Sequence, residues 1–304
     1  MSDPAAIDGV LVQWGDRLFY PGNRIVKGTP LSKLPAALLR QRANAIRARI
    51  EATVVRRVPQ VMVKVTGGGR GMKAIAAHFK YISKSGRLDI EDDRGEIMNG
   101  KGDLRGLVDD WRLGGTPIEE VGFRREAFNI MLSMPRTVDP LYVLNAAREF
   151  AHAELADHKY VMVLHDHQAN PHVHLSVRAE SRHGKRLNPR KADLARWRQT
   201  FAEKLRGWGV EAEASSRVVR GQGRPGEALW RVKAQQAGRT PRTSQQAGSV
   251  PLRSFAVESA WQAVQGALAG SDDPRDRQLG DRLQSARNGP VPDVAPHRGP
   301  EPSR

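Results

Sequence analysis

Tyr160-Val-Met-Val-Leu-His165-Asp166-His167-Gln168-Ala169-Asn170-Pro171-His172-Val173-His174-Leu175-Ser176-Val177-Arg178-Ala179-Glu180 is the stretch on which the fold turns, and four of the chain's 9 histidines fall inside it. Val161 to Leu164 is a short apolar run. Gln-Ala-Asn-Pro is turn chemistry, and Pro171 is tolerated at the first residue of a strand. Beyond it, His172, His174, Ser176 and Arg178 alternate with Val173, Leu175 and Val177, the period of a strand with one polar and one apolar face. The stretch therefore predicts a β-hairpin. Strand period sets His172 and His174 on one face, about 7 Å apart, and the turn returns His165 to the same end of the pair. Three imidazoles without a fourth protein ligand leave coordination positions open, as a catalytic metal site requires. A single His-X-His on a strand says little; the third histidine across the turn makes the cluster a candidate metal site.

Composition narrows the partners. The chain has 304 residues with 49 Lys and Arg against 33 Asp and Glu, a net charge of +16. Such an excess points to a polyanion, most often nucleic acid or an acidic membrane. Cysteine is absent, which excludes disulfides, thiolate zinc sites and a cysteine nucleophile, and suits a reducing cytoplasm. No stretch of 18 apolar residues is present, so no membrane span is expected. The N-terminus lacks a basic region followed by an apolar core, so no secretory signal is expected.

Outward from the hairpin, Asp139-Pro140 begins a helix that should run to about Asp157, with Asp139 as cap and Pro140 in the first turn. Ala127 to Met134 reads as a strand. Residues 99–120 read as loop with a short helix near Leu104–Trp111, and Arg87–Glu91 with Gly95–Met98 as a small hairpin. Val61 to Thr66 reads as a strand running into Gly67-Gly68-Gly69-Arg70-Gly71, which is no Walker loop because no Gly-Lys-Ser/Thr follows. In the helix that follows, from Met72 to Ser85, Met72, Ile75, Phe79 and Ile82 form the buried stripe. Tyr81 lies roughly 200° around the helix from Phe79 and shares its face with Ala74, Ala77 and His78. Its hydroxyl is thus left accessible, and Lys80, Lys84 and Arg87 flank it.

Toward the N-terminus, Leu39, Ala43, Ile46 and Ile50 stripe one face of a basic helix over 36–56, and a short strand is expected at Val10–Trp14. After the hairpin comes a basic loop, Ser181 to Lys191, which holds Lys185, Arg186, Arg190 and Lys191. A helix with Leu194, Trp197, Phe201, Leu205 and Trp208 on one stripe follows. Beyond about residue 215, Gly, Pro, Gln, Ser and Arg dominate, as in a disordered basic tail, with helical character only at 252–269. Three divisions result: a segment 1–58 with its basic helix, a domain 59–215, and a tail 216–304.

These residues carry a resemblance. His165-Asp-His-Gln-Ala-Asn-Pro-His172-Val-His174 resembles the histidine motif of plasmid mobilisation relaxases, nucleases of the HUH superfamily. Lys73–Glu91, with Phe79-Lys-Tyr81-Ile-Ser83 and Gly86-Arg-Leu, is similar to the tyrosine motif of the branch that includes the T-DNA border endonuclease. Phe128–Pro135 with Ser133 is similar to its middle motif, and Gly184–Trp197 to the stretch that follows. The resemblance covers about residues 60–215 and implies an α/β (α+β) fold, an antiparallel sheet of about five strands flanked by helices. It implies Tyr81 as the nucleophile that nicks one DNA strand at a transfer origin and holds the 5′ phosphate, with His165, His172 and His174 as metal ligands. Family members often carry an acid where this chain has His167; Asp166 and His167 are the candidates for a base or an outer-shell group. Lys80, Lys84, Arg87, Lys185, Arg186, Arg190 and Lys191 are candidate DNA contacts. The family uses a divalent ion, magnesium or manganese, while an all-imidazole donor set favours manganese, zinc or similar ions on ligand softness. The implied partners are single-stranded DNA, accessory relaxosome proteins and a secretion coupling protein, and the implied place is the bacterial cytoplasm, with export alongside the DNA. Two other readings stand beside it. A rolling-circle replication initiator shares the histidines, but its tyrosine commonly follows them, whereas Tyr81 precedes. A basic, non-catalytic DNA-binding protein would have no use for Tyr81.

Overall fold

The computed structural model describes residues 4–20, 34–167, 170–217, 219–220 and 252–288. In chain order the elements are α1 (Pro4–Phe19), α2 (Ala36–Ile50), a π turn (Glu51–Val55), β1 (Met62–Gly67), α3 (Met72–Ile82), β2 (Ile90–Asp92), β3 (Ile97–Met98), α4 (Gly100–Leu113), β4 (Ala127–Ser133), α5 (Pro140–Leu155), β5 (His158–His165), β6 (His172–Ser181), α6 (Lys191–Gly207), α7 (Leu252–Ala269) and α8 (Pro274–Asn288). They form two compact units. One is Val58–Ala214; the other joins Met1–Arg57 to Ser215–Arg304.

The unit Val58–Ala214 is built on one six-stranded sheet in the order β1-β4-β6-β5-β2-β3, antiparallel throughout. The expected antiparallel sheet flanked by helices is thus present, with β1 as one edge. The alternation in β6 decides both layers. Val173, Leu175 and Val177 pack with Ile130 and Leu132 of β4 and Tyr160 and Met162 of β5, under Phe150 of α5 and Trp197, Phe201 and Leu205 of α6. On the opposite face Ala127, Val161 and Val163 meet the α3 stripe of Met72, Ile75, Phe79 and Ile82, with Leu107 and Trp111 of α4. All four stripe residues are fully buried, each contributing on the order of 1.5–3 kcal/mol of apolar transfer. The rings of Phe79 and Trp111 meet edge to face at 4.8 Å. The polar residues of β6 look toward this α3 and α4 layer. There Arg178 is buried and donates to the carbonyls of Trp111 (2.9 Å), Gly114 (2.7 Å) and Thr116, tying down the end of α4.

The helix starts follow local chemistry. The Asp139 carboxylate accepts from the Leu141 amide at 2.8 Å, with Pro140 in the first turn, as the Asp-Pro pair predicts. α4 is longer than the expected Leu104–Trp111 because Gly100 to Asp103 also take helical conformation, and the Asn99 amide finds the Asp103 carboxylate at 3.0 Å. Trp208 departs from the stripe read for α6. It caps the helix, is exposed, and gives its indole N–H to Glu149 at 2.9 Å.

In the other unit, α1, α2, the π turn, α7 and α8 share a core of Leu11, Leu18, Ile46, Ile50, Trp261, Val264, Leu268 and Leu283. The strand expected at Val10–Trp14 is wrong: these residues lie within α1. Ile7, Leu11 and Leu18 are buried at helical spacing, and Gly15 is what lets α1 approach α2. A Cβ on Gly15 would sit 2.4 Å from Cγ2 of Ile46. The basic face of α2 is occupied within the unit: Arg42 bonds Asp16 at 2.8 Å, and Arg47 bridges Asp8 at 2.8 Å and Asp276 at 2.7 Å. The 252–269 helix is present as α7, and a second helix, α8, follows it with Leu283 buried. The rest of the expected tail, 221–251 and 289–304, lies outside the described residues. Among the described residues no helix is long and apolar enough to cross a membrane.

Candidate metal centre and nucleophile

The cross-strand register places the histidines. His165 pairs directly with His172, and His174 with Val163; on the other side His172 faces Ser133 and His174 faces Met131. The three rings therefore form a near-equilateral triangle, with centroids 5.0, 4.7 and 4.9 Å apart. Each offers a nitrogen within 4.8 Å of the other two, and all three residues are buried. His167 stands beside them, its ring 5.1 Å from that of His165. Asp166 is exposed, with a carboxylate oxygen 3.9 Å from Nδ1 of His167. Of the connecting turn, Gln168 and Ala169 lie outside the described residues.

Hydrogen bonds fix which nitrogens are available. His165 Nε2 lies 2.6 Å from the Ile82 carbonyl. A carbonyl only accepts, so Nε2 carries the proton and Nδ1 keeps its lone pair. His172 Nδ1 is likewise 2.9 Å from the Asn170 carbonyl, leaving Nε2 as its ligand atom. Backbone acceptors that orient a ligating imidazole in this way are the usual second layer of a metal site. Nδ1 of His165 and Nδ1 of His174 are buried with no hydrogen-bond partner, a cost of about 1–3 kcal/mol each unless something binds there. Burial pushes His165 down to about 4 and His174 to about 3, and lowers His172 as well; the neighbouring imidazoles and, for His165, Lys84 add to the effect. All three rings are neutral near pH 7, the form that ligates. An orphaned, neutral, all-nitrogen triangle fits a divalent ion.

Tyr81 is close at hand. It sits in the last turn of α3, 67% exposed, one residue before the carbonyl that holds His165. Ser83 then closes the helix: its hydroxyl donates to the Phe79 carbonyl at 2.7 Å and accepts from Gly86 N–H at 3.0 Å. Tyr160, the nearest tyrosine in sequence to the histidines, is instead buried in the core on the opposite sheet face, its phenol pushed up to about 12 by that burial.

Sequence reasoning set one neighbour, His78, on the face of Tyr81 and gave it no role. The His78 ring lies 6.2 Å from Tyr81 and 6.3 Å from His174, and its Nε2 is buried without a partner. The signal was its place three residues before Tyr81 on the same helical face. Ser133, from the middle motif, is buried across from His172 and donates to the Pro171 carbonyl at 3.2 Å, bracing the start of β6.

The cations divide into two groups. Lys80, Lys84 and Arg87 cluster where α3 ends, at the histidine end of the sheet, and Arg87 donates to the Lys84 carbonyl at 3.0 Å. Lys185, Arg186, Arg190 and Lys191 follow β6 in the chain, and Arg186 turns back to pair with Glu180 at the end of that strand opposite the histidines. Arg186 is engaged there by Glu126 at 3.3 Å, Glu180 at 3.5 Å and the Arg125 carbonyl.

Comparison with known proteins gives a family match for part of the chain. A family model described as Relaxase: MobA/VirD2-like, nuclease domain matches residues 107–210, the stretch that contains β4, both histidine strands and the second half of α4. No curated protein matches the chain. Nucleases of this kind use a divalent ion and single-stranded DNA, which accords with the buried imidazole triangle. With its sheet and its histidines, this match supports a MobA/VirD2-like relaxase nuclease domain over residues 107–210.

Proposed function

We propose that the protein nicks and rejoins one DNA strand at a plasmid transfer origin through a 5′-phosphotyrosyl intermediate on Tyr81, and so initiates conjugative transfer. The observation that carries this reading is the hydrogen bond from His165 to the carbonyl of Ile82. It ties a candidate metal ligand to the residue that follows the candidate nucleophile.

The chemistry balances without an outside reactant. The Tyr81 phenolic oxygen attacks the phosphorus, the bond to the 3′ oxygen breaks, and the phenolic proton ends on the freed 3′ hydroxyl. The ester keeps the energy of the broken linkage, so the reverse attack by a 3′ hydroxyl reseals the strand. An ordinary tyrosine has a pKa near 10, so the attack needs local positive charge or a base; Lys80 and Lys84 are nearest in sequence. His165, His172 and His174 would hold the ion, which when bound offsets the negative charge that builds on the phosphate oxygens. Asp166 and His167 are the candidates for the group that receives the proton. Magnesium and manganese are the family's ions; the three nitrogen ligands favour manganese or another transition metal.

The test is direct. Single-stranded oligonucleotides tiling a host plasmid's transfer region should give a covalent protein–DNA band, with the nucleotide on the peptide that contains Tyr81. Tyr81→Phe should bind DNA and form no band. A nucleotide on Tyr160, or full cleavage by Tyr81→Phe, would overturn the assignment.

A further inference from the structure

The sheet face that carries the histidines is only half roofed. α3 and α4 pack over its β5 and β6 side, whereas on β1 Met62, Lys64 and Thr66 are exposed, and on β4 Asn129 and Met131 are half-buried. The register ties this strip to the metal centre. Met62, Ser133, His172 and His165 form one row across the sheet; Lys64, Met131, His174 and Val163 form the next. With strands about 4.8 Å apart, Lys64 sits roughly 10 Å from His174 on the same face. The strip follows β1 from Met62 toward Gly67, beside α3.

Its far end is not bare. Loop 119–126 is pinned to the start of α3. Met72 N–H donates to the Glu119 carbonyl at 2.9 Å, Lys73 N–H to Glu120 at 3.1 Å, Gly122 N–H to Arg70 at 3.0 Å, and Glu126 N–H to Gly69 at 2.7 Å. At Gly71, with φ +107°, a Cβ would lie 2.9 Å from Cα of Val121, so the loop rests directly on glycine backbone. This anchored loop holds Phe123 fully in solvent, at 101% exposure, next to the exposed Arg124 and Arg125 and close to the exposed Arg70. A phenylalanine held out among arginines by a fixed backbone is a stacking platform, the device by which proteins take hold of unpaired bases while cations track the phosphates.

We propose that single-stranded DNA lies along this strip, running from Tyr81 and the histidines over Met62, Lys64 and Met131 to a base stacked on Phe123. The inference deepens the nuclease reading and rests on it. The strip carries Lys64 and ends among the exposed Arg70, Arg124 and Arg125, of which Arg124 is shared with Glu126 at 2.8 Å, and this excess of cations suits a polyanion.

The test uses the full chain and a fluorescein-labelled oligothymidylate, with anisotropy read across a salt series, alongside nicking of a transfer-region oligonucleotide. Phe123→Ala should weaken single-strand binding by about 5- to 100-fold, the range of one lost base stack, and leave binding of a blunt duplex unchanged. Lys64→Ala should weaken it less and shallow the salt dependence by about one phosphate contact. Both side chains are exposed, so melting temperatures should stay at the wild-type value. If the wild-type chain binds and nicks single strands while both variants bind as it does, the strip is overturned and the nuclease reading stands. An equal loss of duplex binding in Phe123→Ala would overturn the stacking. A wild-type chain that binds no single strand would overturn both.

Discussion

The three imidazoles meet through two rules, strand period and a turn, and a third contact from α3 holds them; these differ in how well sequence shows them. His172 and His174 share a face by strand period alone, and His165 joins them through a turn, so the triangle was legible before any fold was known. What was not legible is that His165 is fixed from outside the hairpin, by the Ile82 carbonyl 83 positions away, and that His78 closes the gap to Tyr81. Such contacts depend on how α3 crosses the sheet, which no local pattern encodes. His172→Ala or His174→Ala should reduce nicking by more than about 100-fold and abolish tight divalent binding by calorimetry, while oligonucleotide affinity is retained; a first-layer ligand should matter more than the 10–100-fold typical of outer-layer partners. Normal cleavage by both variants in chelator would rule the site out. The depressed imidazoles also set a pH dependence. The unfolded chain takes up protons near pH 6.5, but folded His165 does so only near 4 and His174 near 3. Between these values the unfolded state binds more protons, so stability falls as pH drops; His78, His158 and His172, lowered by burial too, act in the same sense. In chelator the melting temperature should therefore be lower at pH 5 than at pH 7.5, and a flat profile would contradict the burial of neutral rings.

At the scale of elements, α3 is where the period and the fold agree most closely. Its Met72, Ile75, Phe79 and Ile82 stripe is entirely buried and Tyr81 faces out. The opposite case is α1, part of which, Val10–Trp14, reads as a strand. Gly15 is a contact residue: the missing side chain makes room for Ile46, and a pairing between helices cannot be seen from one of them. The exit of α3 is equally demanding. Lys84 and Ser85 both have positive φ, and at Gly86, with φ +82°, a Cβ would lie 2.6 Å from the Gly100 carbonyl oxygen. Gly86→Ala should cost about 1–3 kcal/mol from the forced backbone conformation and, by moving the Tyr81 turn, reduce nicking more than it reduces metal affinity. Calorimetric melting together with a metal titration checks this; a wild-type melting temperature would show the turn to be less constrained than its geometry implies.

At the scale of the whole chain, the unit Val58–Ala214 has its own cores and contains every candidate ligand and the candidate nucleophile. The other unit is discontinuous, joining the N-terminal helices to α7 and α8 across the length of the sequence, a pairing that composition could not announce. We expect the fragment 58–214 to fold and to nick an oligonucleotide at a rate within about threefold of the full chain. Truncation at Arg220 should behave differently, because it takes Trp261, Val264, Leu268 and Leu283 out of the core that α1 and α2 share. Proteolysis of that truncated chain should begin within residues 1–57 and spare the sheet. Early cleavage within β4 to β6 would show that the sheet does not stand alone.

The bond between His165 and Ile82 has a last consequence. On the proposed function, a chain carrying a phosphotyrosyl strand through a secretion channel would be unravelled on the way, and that covalent ester would survive the unravelling. The candidate ligand set is held by cross-strand pairing in the hairpin and by a bond across 83 positions of chain, so it comes apart as soon as the chain is pulled straight. Threading would thus act as a safety catch on that proposal: the strand would stay attached but could not be resealed in transit, and the capacity to circularise it would return only when the chain refolded on the far side.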